Sequence, residues 1–273
     1  MNNSFCYDAR SQHFTFNLFK ISQSSSTLSP KKSNYNWIEL DAVDSTNNYA
    51  MGLVHAGTAQ HGTVVLAHHQ TKGKGQRGKV WATEPGANLS FSIVVKPGLL
   101  INQAFQLLAT VAVTVRNELE MYIGDEASIK WPNDLYWRDR KTGGILIENV
   151  LRGKDWQWAI IGIGININQT SFGDLKNPVS IKQITGKQTD VTAFAKQLHT
   201  AILNALMQLK ETGFTSFFDD YNQHLFRRNE VVRLKKETRI LHTRINGVNL
   251  QGQLSTGIET EEYFAFGEVE WLL

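Results

Sequence analysis

The stretch Ile129–Glu148, "IKWPNDLYWRDRKTGGILIE", reads as two extended segments meeting at a polar turn. Proline at 132 restricts its own φ and pushes Trp131 away from helical backbone. Trp131–Pro132 is therefore an extended-to-turn corner just past a strand, presenting Asn133 and Asp134. Further on, Lys141 precedes Gly143 and Gly144 in a segment otherwise rich in Ile and Leu. Paired glycines weaken a strand, and fit where a Cβ would hold a ligand off the backbone. Taken alone, the segment equally suits a hairpin with an Asx turn. A second cationic, glycine-flanked turn in the same chain weighs against that simpler reading.

That second turn is Gln70–Ala82, "QTKGKGQRGKVWA", with Lys72, Lys74, Arg77 and Lys79 among Gly73, Gly75 and Gly78 and no acidic residue. It contains a formal G-x-G-x-x-G, but a dinucleotide fold needs a helix to start there, and "VWATEPGANLSFSIVV" leads through Pro85–Gly86 into a strand instead. Read as a Walker A loop, it has Val80 where a magnesium-binding Ser or Thr is required. Read as a kinase loop, it lacks H-R-D and D-F-G partners elsewhere. What survives is a flexible cationic strap between two strands, suited to closing over a phosphate.

A third segment, "IIGIGININ", sets Gly162 and Gly164 in a β-branched strand ending at Asn166 and Asn168. Such glycines fit either something lying flat against the backbone or a bulge beside tight packing. "DSTNNYA" places Asp44 or Ser45 as the cap of a short helix, with Thr46 and Asn47 in its first turn. Trp81, just after the strap, suits the core or a flat surface for a base. His68 and His69 alternate along a strand, which makes a shared metal site improbable.

The rest is ordinary. The 273 residues are 41% hydrophobic and 19% charged with a net charge of +3, as expected of a globular protein and too weakly basic to argue for nucleic acid. Cys6 is the sole cysteine, which excludes an intrachain disulfide and suits a reducing cytoplasm. No apolar run is long enough for a membrane span. Residues 1–35 are Ser-rich and end in the linker-like "SSSTLSPKKSN"; a disordered extension is expected rather than an organelle transit peptide, because Asp8 and weak amphipathicity oppose the latter. The spacing predicts a strand at "WIELDAV", a strand at "GTVVLAHHQ", an alternating strand at "NLSFSIVVK" and helices at "INQAFQLLATVAVTVRNELEMYIG", "DVTAFAKQLHTAILNALMQLKETG" and "FTSFFDDYNQHLF". Strands are expected at "ASIKW", "KTGGILIENVLR" and "DWQWAIIGIGININ". From Asn229, short β segments separated by Gly and Asn turns suggest a small β-barrel of roughly 45 residues.

In this order, "DSTN", "QTKGKGQRGKVW", "KWPNDL", "RKTGGILIE" and "GIGININ" resemble the catalytic domain of biotin–protein ligases, and "VVRLKK", "GVNLQGQL" and "FGEVEWL" resemble their SH3-like C-terminal domain. The resemblance implies an α/β (α+β) fold: a mixed sheet flanked by helices, like that of class II aminoacyl-tRNA synthetases, over residues 36–226, with an SH3-like domain over 227–273. It implies ATP and biotin as substrates, with Mg²⁺ carried mainly by the nucleotide and no protein metal site. Biotin's carboxylate would attack the α-phosphorus, giving biotinoyl-5′-AMP and pyrophosphate. A lysine of a biotin carboxyl carrier protein would then take the acyl group and release AMP. Carried over, Lys141, Lys74 and Asp134 would be catalytic. Ser45, Thr46, Asn47, Gln70, Gly73, Lys74, Gly75, Gln76, Lys141, Gly144 and Gly162 would hold biotin. Arg77, Lys79, Trp81, Lys130, Asn133 and Asn166 would hold the nucleotide. No DNA-binding domain or membrane partner is implied, and a homodimer is compatible.

One departure stands out. The familiar loop is G-R-G-R-x-G-R, whereas Lys74, Gln76 and Lys79 occupy the arginine positions here. Arg offers a bidentate fork, Lys a point charge and Gln no charge, which predicts a looser hold on the adenylate. The nearest rival family, the lipoate and octanoate ligases, shares the fold but typically carries an R-R-x-S-G-G-G loop, which is missing here. A non-catalytic basic nucleic-acid-binding module is the rival of another class, disfavoured by the modest net charge.

Overall fold

The computed structural model describes residues 36–272 except Lys176, all within one compact unit. The expected disordered extension at residues 1–35 lies outside the described residues. Among the described residues twelve strands form two sheets, accompanied by five α-helices. The first sheet takes β1 (Trp37–Leu40), β2 (Thr63–Ala67), β3 (Leu89–Val95), β4 (Ala127–Lys130), β5 (Asp134–Trp137), β6 (Arg140–Arg152) and β7 (Asp155–Ile165) in the order β1-β2-β3-β7-β6-β5-β4. Only β1 and β2 run parallel, so the sheet is mixed.

Central β3 was expected to alternate between core and solvent, but all seven of its residues are buried. Alternation is real in the residue types, and both faces are covered. Leu89, Phe91, Ile93 and Val95 join the core shared with α2 (Ala104–Ile123) and α4 (Val191–Thr212), while Val94 joins a smaller cluster with Ala50 of α1 (Thr46–His55). Each large side chain buried this way contributes about 1.5–3 kcal/mol. Ser90 and Ser92 share the α1 face, and there the site begins.

The sequence reading missed β5 and the short α3 (Ile181–Thr185). β5 comprises "DLYW", directly after the Trp131–Pro132 corner, whose peptide bond is cis. The helices end where glycines permit left-handed backbone: Gly124 after α2 (φ +79°) and Gly213 after α4 (φ +84°). Arg116 of α2 is buried because its guanidinium donates to Ala127 O (2.9 Å) and to both Glu120 oxygens (2.7 and 2.9 Å).

The second sheet holds β8 (Val231–Lys236), β9 (Arg239–Val248), β10 (Leu254–Thr256), β11 (Glu262–Phe264) and β12 (Glu270–Trp271), all antiparallel, in the order β11-β10-β9-β8-β12. It is joined to the first by α5 (Thr215–Gln223) and the proline corner. Asn222 of α5 accepts from Val248 N (2.7 Å) and donates to Val248 O (3.1 Å). Tyr221 O–H donates to Pro132 O (2.9 Å), and Trp131 Nε1 donates to Gly252 O (2.9 Å). No helix among the described residues is long and apolar enough to cross a membrane.

Asp190 caps α4 by accepting from Ala193 N (3.0 Å). Asp190→Ala is expected to lower unfolding free energy by about 1 kcal/mol, read as a lower urea midpoint at unchanged slope.

Candidate active site

The cationic loop joins β2 to β3 and folds back on itself. Lys74 and Val80 form an antiparallel bridge, Gly75 N donates to Lys79 O (2.6 Å) and Trp81 N to Gly73 O (2.9 Å), with one tight turn at Gln76–Gly78 between. Arg77 takes φ +55° within that turn.

Beneath the strap lies β7. A Cβ on Gly162 would overlap the Asn47 amide, and one on Gly164 would overlap the Trp81 indole. These glycines, read as room for a ligand or as a bulge beside tight packing, thus receive two of the chain's own side chains. Gly144 makes room similarly: its Cβ would stand 3.2 Å from Asp134 Oδ1 and 3.5 Å from Lys141 Nζ.

A buried polar cluster forms the floor. Gln70 Oε1 accepts from Thr46 N (2.8 Å) and Thr46 Oγ1 (3.1 Å), while Gln70 Nε2 donates to Ser90 Oγ (3.3 Å). Ser92 Oγ lies 2.7 Å from both Thr46 Oγ1 and Asn47 Oδ1, and Asn47 Nδ2 donates to Glu148 Oε2 (2.7 Å). The cap expected from Asp44 or Ser45 is therefore supplied otherwise. Ser45 occupies the N-cap position without a side-chain bond, and Gln70, far along the chain, takes a first-turn amide instead.

The cations are partnered unevenly. Lys74 Nζ is 3.7 Å from Glu148 Oε1; Lys141 Nζ is 2.6 Å from Asp134 Oδ1 and 5.8 Å from the Trp81 ring centre. Lys130 Nζ lies over the rings of Tyr136 (5.2 Å) and Trp271 (5.5 Å). Burial lowers its pKa to about 8, with the positive charges of Lys141 and Lys79 adding to the fall and Asp134 and Glu270 opposing it.

All this surrounds one cavity of about 710 Å³. Ser45, Thr46, Asn47, Gln70 and Gly162 reach it from the floor; Lys74, Gly75, Gln76, Arg77, Lys79 and Trp81 from the strap; Lys130, Asn133, Asp134, Lys141 and Gly144 from another wall. Two expected residues do not reach it. Gly73 belongs to the strap but faces the Trp81 carbonyl, which a Cβ there would overlap, and Asn166 is buried with its amide donating to Lys141 O (3.3 Å). Asn133 does touch the wall, but its Nδ2 is committed to Ile145 O (2.5 Å). Among the described residues no group of His, Cys, Asp or Glu converges as metal ligands; His68 pairs with Glu39 (2.9 Å).

Several contributors escaped sequence reasoning. Ser90, Ser92 and Glu148 carried a signal, as polar residues in otherwise apolar strands. Lys235, Glu270 and Trp271 of the second sheet and Phe266 in the turn before β12 line the same cavity and carried none. Arg77 Nη1 donates to Gly267 O (3.2 Å), so the strap is tied to that sheet.

The fold is thus a mixed α/β sheet whose cationic strap overhangs a polar-floored cavity. The biotin/lipoate A/B protein ligase family matches residues 39–166. The biotin–[acetyl-CoA-carboxylase] ligase of Paracoccus denitrificans is 30% identical over 224 residues, 79% of this chain and 91% of that protein. The bifunctional ligase/repressor BirA of Bacillus spizizenii is 36% identical over 179 residues, 64% of this chain and 55% of that protein. The chain thus spans about half the length of the BirA proteins it matches. The biotin protein ligase of Aquifex aeolicus in complex with biotin and ATP superposes with a TM-score of 0.74 at 28% identity, covering 86% of this chain and 97% of that one. The chain belongs to the biotin/lipoate A/B protein ligase family.

Lys130 carries a pH consequence. Its folded pKa lies below the unfolded 10.5, so the unfolded chain binds more protons between about pH 8 and 10.5 and stability rises with pH across that window. Lys130→Met is expected to abolish this part of the rise, seen by comparing urea midpoints of both proteins at about pH 7.5 and about pH 10.

Proposed function

We propose that the chain joins biotin to a lysine of a biotin carboxyl carrier protein at the expense of ATP, through biotinoyl-5′-AMP. A carboxylate oxygen of biotin bonds to the α-phosphorus as the bond to the β-phosphate oxygen breaks and pyrophosphate leaves. The carrier amine, having lost its proton, then bonds to the acyl carbon and AMP leaves. What supports this is that Gln70 and Lys74 of the strap line one cavity with Lys141, from a distant part of the sequence. The relatives named above as biotin ligases add weight.

In this scheme the polar floor of Thr46, Asn47 and Gln70 takes the ureido ring, whose N–H and C=O groups need partners once buried. Lys74 and Lys141 draw the carboxylate and the phosphate together and offset charge building on phosphorus. Asp134 holds Lys141 in place at 2.6 Å, a positioning role that leaves its use as a base for the incoming lysine secondary. Trp81 covers the base, and Arg77, Lys79 and Lys130 face the phosphates. Mg²⁺ enters with the nucleotide as part of the substrate. Residues 36–226 would act as the catalytic domain, 227–273 as the SH3-like domain, in a reducing cytoplasm.

Biotin-dependent ATP–pyrophosphate exchange tests the scheme directly, with lipoate as the control acid. Lys141→Ala is expected to keep its fold and lose exchange by about a hundredfold, as removal of about 2.7 kcal/mol of transition-state stabilisation requires. Exchange at wild-type rates by the folded variant would remove Lys141 from the chemistry.

Gln76, at the cavity wall, supplies no charge to the adenylate. Gln76→Arg is expected to reduce release of free biotinoyl-AMP, measured in single turnovers without carrier; equal release by both proteins rules out the looser grip.

A further inference from the structure

The β8–β9 ladder of the second sheet is charged in one sense. Between Val231 and Val248 stand Arg233, Lys235, Lys236, Arg239 and Arg244 against a single carboxylate, Glu237. Register sorts them by face. Val231 is opposite Arg244, Arg233 opposite His242 and Lys235 opposite Ile240, so these six share one side, while Val232 and Leu234 are buried on the other. All six are exposed, Val231 by 53% and Ile240 by 56%. Among the described residues no carboxylate forms an ion pair with Arg233, Lys235 or Arg244, whereas Arg227 just upstream pairs with both Asp139 (2.6 Å) and Glu230 (3.2 Å). Like charges on neighbouring strand positions destabilise a sheet. This side holds them with two aliphatic side chains among them.

The face does not stand apart from the cavity. Lys235 lines it, together with its cross-strand neighbour Glu270 on β12 and Glu237 at the hairpin turn. The basic side of the ladder therefore runs from the cavity mouth outward.

We propose that this face docks the acceptor protein, and that the acceptor presents carboxylates around its lysine. The inference rests on the ligase scheme and extends it to partner recognition. The second step needs a lysine delivered to the cavity mouth, and a surface continuous with that mouth orients its owner. Charge steers such an encounter and sets its register. Nucleic acid fits less well: Val231 and Ile240 interrupt the charge, and the face carries no Phe, Tyr or Trp ring on which a base could stack.

The test uses the full chain with Arg233→Glu and Arg244→Glu combined, both outside the cavity wall. Biotinylation of a purified carrier domain is measured against carrier concentration and ionic strength, alongside ATP–pyrophosphate exchange. Expected is a KM for carrier raised about tenfold or more with kcat little altered, a loss of the wild type's salt sensitivity, and exchange unchanged. Poly-glutamate should inhibit transfer by wild type and not by the variant. Unaltered KM with exchange intact overturns the proposal. So does an oligonucleotide that binds wild type, loses affinity in the variant and leaves carrier KM untouched. Absence of exchange in wild type itself would instead sink the ligase scheme.

Discussion

The bare backbone of β7 is the constraint from which the site follows. Gly162 and Gly164 lie on the strand between β3 and β6, where a Cβ would collide with Asn47 and Trp81. Removing those two Cβ atoms lets the start of α1 and the end of the strap rest on the sheet. Asn47 is then close enough to bond Ser92 and Glu148, and Glu148 close enough to meet Lys74. One steric allowance thereby sets the floor, the lid and the distance between them. Glycine weakens a strand, but here the loss is offset by the packing of the Trp81 indole and of the Asn47 amide, which bonds Ser92 and Glu148.

Electrostatics sorts the cavity's cations. Lys74 and Lys141 stand beside Glu148 and Asp134, so their ammonium groups are held in position yet remain open to exchange with a stronger anion. Lys130, the cross-strand neighbour of Asp134, is packed against two rings with its charge disfavoured by burial. A bound polyphosphate would relieve that penalty, because an opposite charge restores what desolvation removes. Ground-state discomfort at Lys130 and pre-paired cations elsewhere both favour an anionic occupant.

Much of the first sheet was legible because its signals are local. Apolar spacing marked α2 and α4, glycines marked their ends, and Pro132 marked the corner before β5. β5 itself escaped, since "DLYW" is four residues long and lies between turn residues that resemble a loop. β3 was recognised as a strand, though its burial on both faces was not, because cover on the α1 side depends on a helix from another part of the chain. The glycines of β7 were read as room for a ligand or as a bulge beside tight packing; only the tertiary structure showed which residues of the chain rest on them.

Residue types and spacing marked the strap, the "KWPND" corner and the "GGIL" strand one by one, because a cation, a glycine or a proline states its constraint wherever it stands; the family resemblance joined them into one neighbourhood. Neither could say that Gly73 and Asn166 do not reach the cavity, that Gln70 caps a helix, or that Lys235 and Trp271 close the far side. Those facts depend on how two sheets meet across α5, through contacts such as Tyr221 with Pro132 and Arg77 with Gly267. Contacts between distant segments arise from the whole packing free energy, which no short window of sequence contains.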